Sequence, residues 1–136
     1  MHCISAGVIT VSLVALEAGQ IVGHILFSPV TFEGEKGISP FVGLGPVAVL
    51  PEFQRKGIGS MLISAGLEEC QKAGYEAVVV VGSWIYYQRF GFTTASHSGL
   101  RLEGVPPEVF MALELRPGTL AGKHGTIKYQ PEFNEV

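Results

Sequence analysis

Seven consecutive residues, Gln54-Arg55-Lys56-Gly57-Ile58-Gly59-Ser60, carry the densest chemistry in the chain. They follow an apolar, β-branched run at 41–50 and open a stretch of helical periodicity. The first turn of a helix presents unpaired N–H groups and the positive end of the helix dipole. Gly57 and Gly59 carry no Cβ, so an anion can come close to that backbone, and Arg55 and Lys56 add positive charge. Together these features predict a cradle for a phosphate or diphosphate. Two other nucleotide motifs do not fit. There is no G-x-x-x-x-G-K-[ST], and Leu62 occupies the third position of G-x-G-x-x-G. The plainer alternative is a glycine-rich turn whose basic residues are merely solvated.

The elements around this cradle can be read from periodicity. Val8 to Leu16 is β-branched and predicts a strand. Glu17-Ala18-Gly19-Gln20 is a turn, and Ile21 to Ser28 is a second strand, antiparallel to the first. Phe32 to Pro40 is a polar, glycine-bearing loop. Phe41 to Leu50 is a third strand, in which Pro46 predicts a bulge or an unpaired edge because it cannot donate to a ladder. Gly57 to Ala73 is the one long helix. Ile58, Met61, Leu62 and Ala65 are expected on its core face, Ser60, Ser64, Glu68 and Gln71 on the opposite side, and Gly74 ends it. Ala77 to Val81 is an unbroken apolar run, the mark of a strand buried on both faces. Strand 41–50, the helix and strand 77–81 therefore form a parallel βαβ unit with the usual right-handed crossover. A short helix from Trp84 to Phe90 stops at Gly91. Further short strands are expected at 92–95, 109–115 and 126–129.

Composition bounds the class. The 136 residues suit one domain, 1–136. Hydrophobic residues make up 47% and charged residues 15%, which excludes a disordered tail and a coiled coil. The net charge of −3 and the nine Lys plus Arg form no basic patch, so no nucleic-acid partner is expected. No apolar run reaches the ~18 residues of a membrane span, so no membrane partner is expected either. Residues 1–20 lack a charged n-region and a cleavage site, so they read as strand and not as a signal peptide. Cys3 and Cys70 cannot make a disulfide framework, which suits the reducing cytoplasm. No metal-ligand set is present.

The stretch Val47-Ala48-Val49-Leu50-Pro51-Glu52-Phe53-Gln54-Arg55-Lys56-Gly57-Ile58-Gly59 resembles the Q/R-x-x-G-x-G/A signature of the GNAT superfamily of acyl-CoA N-acyltransferases. Tyr86-Tyr87-Gln88-Arg89-Phe90-Gly91-Phe92 resembles the later signature of the same family, a tyrosine-bearing short helix ending in Gly-Phe. The wording of IVGHILFSPV, VGLGPVAVLPEFQRKGIG, YYQRFGF and GTIKYQPEF is similar to a bacterial and archaeal branch of predicted acetyltransferases, the YhbS-like branch. The resemblance covers nearly the whole chain. It implies an α/β (α+β) fold with a mixed, mostly antiparallel central sheet. One parallel βαβ unit in that sheet is splayed to admit acyl-CoA.

The resemblance also implies a function and a site. Acetyl-CoA would be the co-substrate, and its acetyl group would pass by direct attack to an amine, either a small molecule or a protein amine. Val47, Ala48 and Val49 would offer backbone groups to the pantetheine arm. Gln54, Arg55, Lys56, Gly57, Ile58, Gly59 and Ser60 would wrap the diphosphate. A backbone N–H on the third strand, with Val47 the nearest candidate, would meet the developing oxyanion. Tyr87, four positions before Gly91, matches the tyrosine that gives a proton to the departing thiolate; a phenol with pKa of about 10 is protonated at pH 7. The plainer reading of Tyr87 is a core or pocket-wall aromatic, and Tyr86 is expected to face the core. Glu33, Glu35, Glu52, His24 and His97 are the candidate bases, with His24 read first as a structural histidine. Water could serve instead. Cys70 reads as packing.

Two departures from the family pattern stand out. GNAT domains open with a strand and two helices before the hairpin, and here residues 1–7 leave room only for the tail of the second helix. The domain is therefore expected to be N-terminally shortened, with an open acceptor side that a homodimer partner could cover. Ser83-Trp84-Ile85 stands where the branch tends to carry a polar residue and a proline. Two alternatives remain at this point. One is a non-catalytic acyl-CoA-binding module with a degraded acceptor site. The other is a nucleotide-phosphate binder unrelated to CoA.

Overall fold

The structure is a computed structural model and describes residues 2–4, 11–32, 40–121 and 125–129. Among the described residues nine strands form one curved mixed sheet. Strand β1 is His2–Ile4, β2 is Val11–Glu17, β3 is Gln20–Phe32 and β4 is Phe41–Val49. Helix α1, Ile58–Lys72, leads to β5, Ala77–Val81. Helix α2, Trp84–Tyr87, runs into a 3-10 turn at Gln88–Phe90. The remaining strands are β6 Thr93–Thr94, β7 Leu100–Leu102, β8 Phe110–Glu114 and β9 Gly125–Tyr129. The strand order is β1-β2-β3-β4-β5-β8-β6, with β9 bridging β3 and β7.

The β2–β3 hairpin forms as expected. Its two turn residues, Ala18 and Gly19, both have positive φ (50° and 82°) and join Glu17 to Gln20. A two-residue turn of this kind matches the right-handed twist of the flanking strands. Strand β3 runs four residues past Ser28, and this extension pairs with β9. The expected parallel pairing of β4 with β5 is present. A second parallel pair, β7 with β9, was not anticipated, and neither were β1 and β7 themselves. These are three-residue strands without a readable alternation. Their pairing comes from tertiary contact and not from local propensity.

Ala77 through Val80 of the apolar run of β5 are buried, on both faces of the sheet, and Val81 is 43% exposed. Val78 and Val80 join the core beneath α1, and Ala77 and Val79 join a second core against Phe41, Phe110 and Ile127. The face of α1 differs from the expectation. Ile58, Leu62, Ile63, Gly66 and Cys70 are buried, and Met61 is 50% exposed. The reason lies at Gly66. A Cβ there would overlap the Phe27 ring, so the helix lays its glycine on that ring and turns Met61 outward. Close helix–sheet approach at one residue sets the rotation of the whole helix.

Candidate functional site

Strand β4 has two halves. Phe41, Val42 and Gly43 pair with Ala77, Val78 and Val79 of β5. Beyond Gly43 the two strands pair no further, although β4 continues to Val49 and β5 to Val81. The far half of β4 keeps only its antiparallel partner β3, through Val47, Ala48 and Val49. Its other edge is open along the parting. The expected irregularity at Pro46 is found here. Two residues of β4, Gly45 and Pro46, stand opposite the single residue Leu26, and the Gly45–Pro46 peptide is cis. Such a bulge bends and twists a strand locally.

The cradle forms at the end of the parted half. Arg55 and Gly57 take positive φ (65° and 82°), and the chain turns from strand into α1 over Gln54–Gly57. No side chain caps α1 and no acidic residue lies in its first turn. The amides of Gly57 through Ser60 therefore keep the free donors and the positive potential that an anion requires. Gln54 donates from Nε2 to the Val49 carbonyl at 2.9 Å, so its side chain braces the strand end. A cavity of about 380 Å³ opens above these amides. Its walls are Val49, Phe53, Gln54, Arg55, Gly57, Ile58, Gly59 and Ser60 on one side, and Tyr86 and Arg89 on the other.

The expected site residues are thus brought together only in part. Val49 and Gln54, Arg55, Gly57, Ile58, Gly59 and Ser60 line the cavity. Val47 and Ala48 lie below it on the open edge of β4. Lys56 does not line the cavity. Its Nζ sits 5.4 Å from the centre of the Phe53 ring, a cation–π contact. Tyr86 packs against the core, as expected, and also lines the cavity. It is half-buried, and its hydroxyl lies 3.3 Å from Ser60 Oγ. The Arg89 guanidinium stacks over its ring at 4.8 Å. A four-residue helix leading straight into a 3-10 turn rotates successive side chains in a way the sequence pattern does not disclose.

Tyr87 is the more enclosed of the pair, at 8% exposed. Its ring packs edge-on against Phe92 and Tyr86, at 5.6 and 5.1 Å between centroids. It covers Gly82, the residue just after β5, where a Cβ would overlap the ring. Tyr87 therefore stands at the end of β5 as part of the buried core, behind Tyr86 and not among the residues that line the cavity. Burial, and secondarily Tyr86, push its phenol above the ordinary tyrosine value, so it is protonated across the neutral range.

The other candidates are placed as follows. His24 Nε2 and Ser12 Oγ lie 3.1 Å apart across β2 and β3, a structural pairing. Glu52 is exposed beside the cradle. Glu33 and Glu35 lie outside the described residues, as does the His97 side chain. Cys70 is buried in the core. Trp84 and Ile85 are 50% and 73% exposed on α2. Among the described residues no group of three His, Cys, Asp or Glu is placed to hold a metal, and no helix is long and apolar enough to cross a membrane.

The acetyltransferase (GNAT) family profile matches residues 6–92. The chain belongs to the GNAT family. It is 36% identical over 130 residues to the uncharacterised N-acetyltransferase YhbS of Escherichia coli K12, covering 94% of this chain and 77% of that protein. The crystal structure of Escherichia coli YhbS in complex with CoA superposes with a TM-score of 0.83 at 35% identity, over 91% of this chain and 69% of that one. A GNAT acetyltransferase from Brucella melitensis in complex with acetyl-CoA superposes with a TM-score of 0.72 at 38% identity, over 90% and 68% of the two chains.

Proposed function

We propose that the protein transfers the acetyl group of acetyl-CoA to an amine. One observation carries the proposal: the uncapped start of α1 lies at the end of the strand that parts from β5. The GNAT relatives with bound CoA and acetyl-CoA support the choice of coenzyme. The amides of Gly57 through Ser60, with Arg55, would hold the diphosphate. The open edge at Val47, Ala48 and Val49 would receive the pantetheine arm.

In this reading the amine attacks the thioester carbonyl, and a C–N bond forms. The oxyanion needs a preorganised donor, for which the Val47 N–H is the candidate. Collapse breaks the C–S bond, and the CoA thiolate takes the Tyr87 phenolic proton. The nitrogen gives its surplus proton to water, and solvent restores the phenol. The raised pKa keeps the proton on Tyr87 until a strong base arrives. A cytoplasmic location belongs to the same proposal, since two cysteines make no disulfide framework.

The test is thiol release. The protein is incubated with acetyl-CoA and a panel of small and peptidyl amines, and free CoA thiol is measured. At least one amine should raise release well above the rate without protein. In parallel, acetyl-CoA should raise the melting temperature more than ATP does, through linkage. A shift without thiol release from any amine would reduce the protein to a binding module. Equal shifts with ATP and acetyl-CoA would overturn the coenzyme assignment.

A further inference from the structure

We propose that Arg89, held over the Tyr86 ring, is the second cation of the diphosphate cradle and takes the place that the signature residue Lys56 leaves vacant. The inference rests on the acetyl-CoA reading above. Arg89 lies outside the glycine loop, more than two dozen residues along the chain, yet it forms the opposite wall of the same cavity as Gly57, Gly59 and Ser60. Its guanidinium stands 4.8 Å over the Tyr86 ring, and the Tyr86 hydroxyl touches Ser60 Oγ in the first turn of α1. The Tyr86 hydroxyl also lies close over Gly59, 3.6 Å from where a Cβ would stand. The two walls are thus tied together by one polar contact.

That placement gives this arginine its use. A guanidinium held over an aromatic ring keeps N–H groups available, and that planar fork matches two phosphate oxygens at once. Arg89 has no carboxylate partner among the described ion pairs, so its charge is not already neutralised. Lys56, by contrast, is turned over Phe53 and is absent from the cavity wall. The cavity also contains the first-turn amides of α1, which places Arg89 opposite the diphosphate and not the 3′-phosphate of the adenosine.

Binding of CoA, dephospho-CoA and pantetheine to wild type, Arg89→Ala, Arg89→Lys and Lys56→Ala tests this by calorimetry. Arg89→Ala should weaken CoA and dephospho-CoA alike by about tenfold, as expected for loss of a charge-assisted fork, with pantetheine unaffected. Arg89→Lys should recover only part of that loss, and Lys56→Ala should lose less than Arg89→Ala. Arg89 is exposed, and the melting temperature of each variant without ligand checks that it folds. A loss confined to CoA would assign Arg89 to the 3′-phosphate and overturn the proposal. Unchanged affinity in Arg89→Ala, or a larger loss in Lys56→Ala, would overturn it as well. If wild type itself fails to bind CoA, the acetyl-CoA reading is what falls.

Discussion

The two halves of β4 are one continuous strand with opposite duties. Val42 and Gly43 are flanked on both edges, by β3 and β5, Phe41 pairs with β5, and all three are buried. The stretch from Gly45 to Val49 has β3 alone, and its residues alternate between partly buried and exposed. The Gly45–Pro46 bulge divides them. Stability is concentrated where the sheet is closed, and binding capacity where it is open, because a backbone edge cannot both satisfy a neighbouring strand and receive a ligand. The Brucella and Escherichia relatives with bound coenzyme share this fold.

The comparison can be broken most severely at Phe41, which is wholly buried. Phe41→Ala should cost about 3–5 kcal/mol, read by urea unfolding, as the cavity it leaves demands. A loss below 1 kcal/mol would mean that the closed half does not anchor the sheet. At the open end, Tyr87→Phe should leave stability and acetyl-CoA affinity nearly intact and lower turnover tenfold or more, a rise in barrier of about 1.4 kcal/mol. Unchanged turnover would remove Tyr87 from the chemistry.

Gly59→Ala sharpens the contrast further. A methyl there meets only Tyr86 Oη at 3.6 Å and Val49 Cγ2 at 4.0 Å, ordinary contact distances. Helix propensity favours alanine by up to about 1 kcal/mol, so the melting temperature should hold or rise. The methyl nonetheless enters the cradle, and acetyl-CoA affinity should fall several-fold in calorimetry. A lost fold would contradict the separation of duties.

The smallest effect concerns alkaline pH. Each region contributes one buried tyrosine with a raised pKa: Tyr75 through burial and then Cys70, and Tyr87 through burial and then Tyr86. With the folded pKa above the unfolded value near 10, the unfolded chain loses its proton first. Stability is therefore full below pH about 10 and falls as pH rises through the raised values. Tyr75→Phe and Tyr87→Phe should each flatten the decline of unfolding free energy between pH 9 and 11. An identical slope in wild type and both variants would show that neither phenol is shielded in the folded state.

Much of this architecture was legible at the level of residues. Pro46 in an apolar run announced the bulge, Gly57 and Gly59 ahead of a periodic stretch announced the cradle, and the five apolar residues of β5 announced a doubly buried strand. Other features were not legible, for a common reason. Gly66 reads as a weak point in a helix until Phe27, far away in sequence, is seen lying on it. Gly82 reads as a linker residue until the Tyr87 ring covers it. Lys56 and Arg89 are both basic residues near a signature, and only their packing against Phe53 and Tyr86 separates the one that leaves the cavity from the one that faces it.

Local chemistry sufficed, then, for the glycine turn at the helix start and for the order of most of the elements around it. Periodicity, glycine freedom and the helix dipole are properties of a few neighbouring residues. Which way each side chain turns is different in kind. The rotation of α1, the burial of Tyr87, the half-burial of Tyr86 and the place of Arg89 on the cavity wall are settled by contacts between segments distant in the chain. Only the folded molecule brings those segments within van der Waals reach.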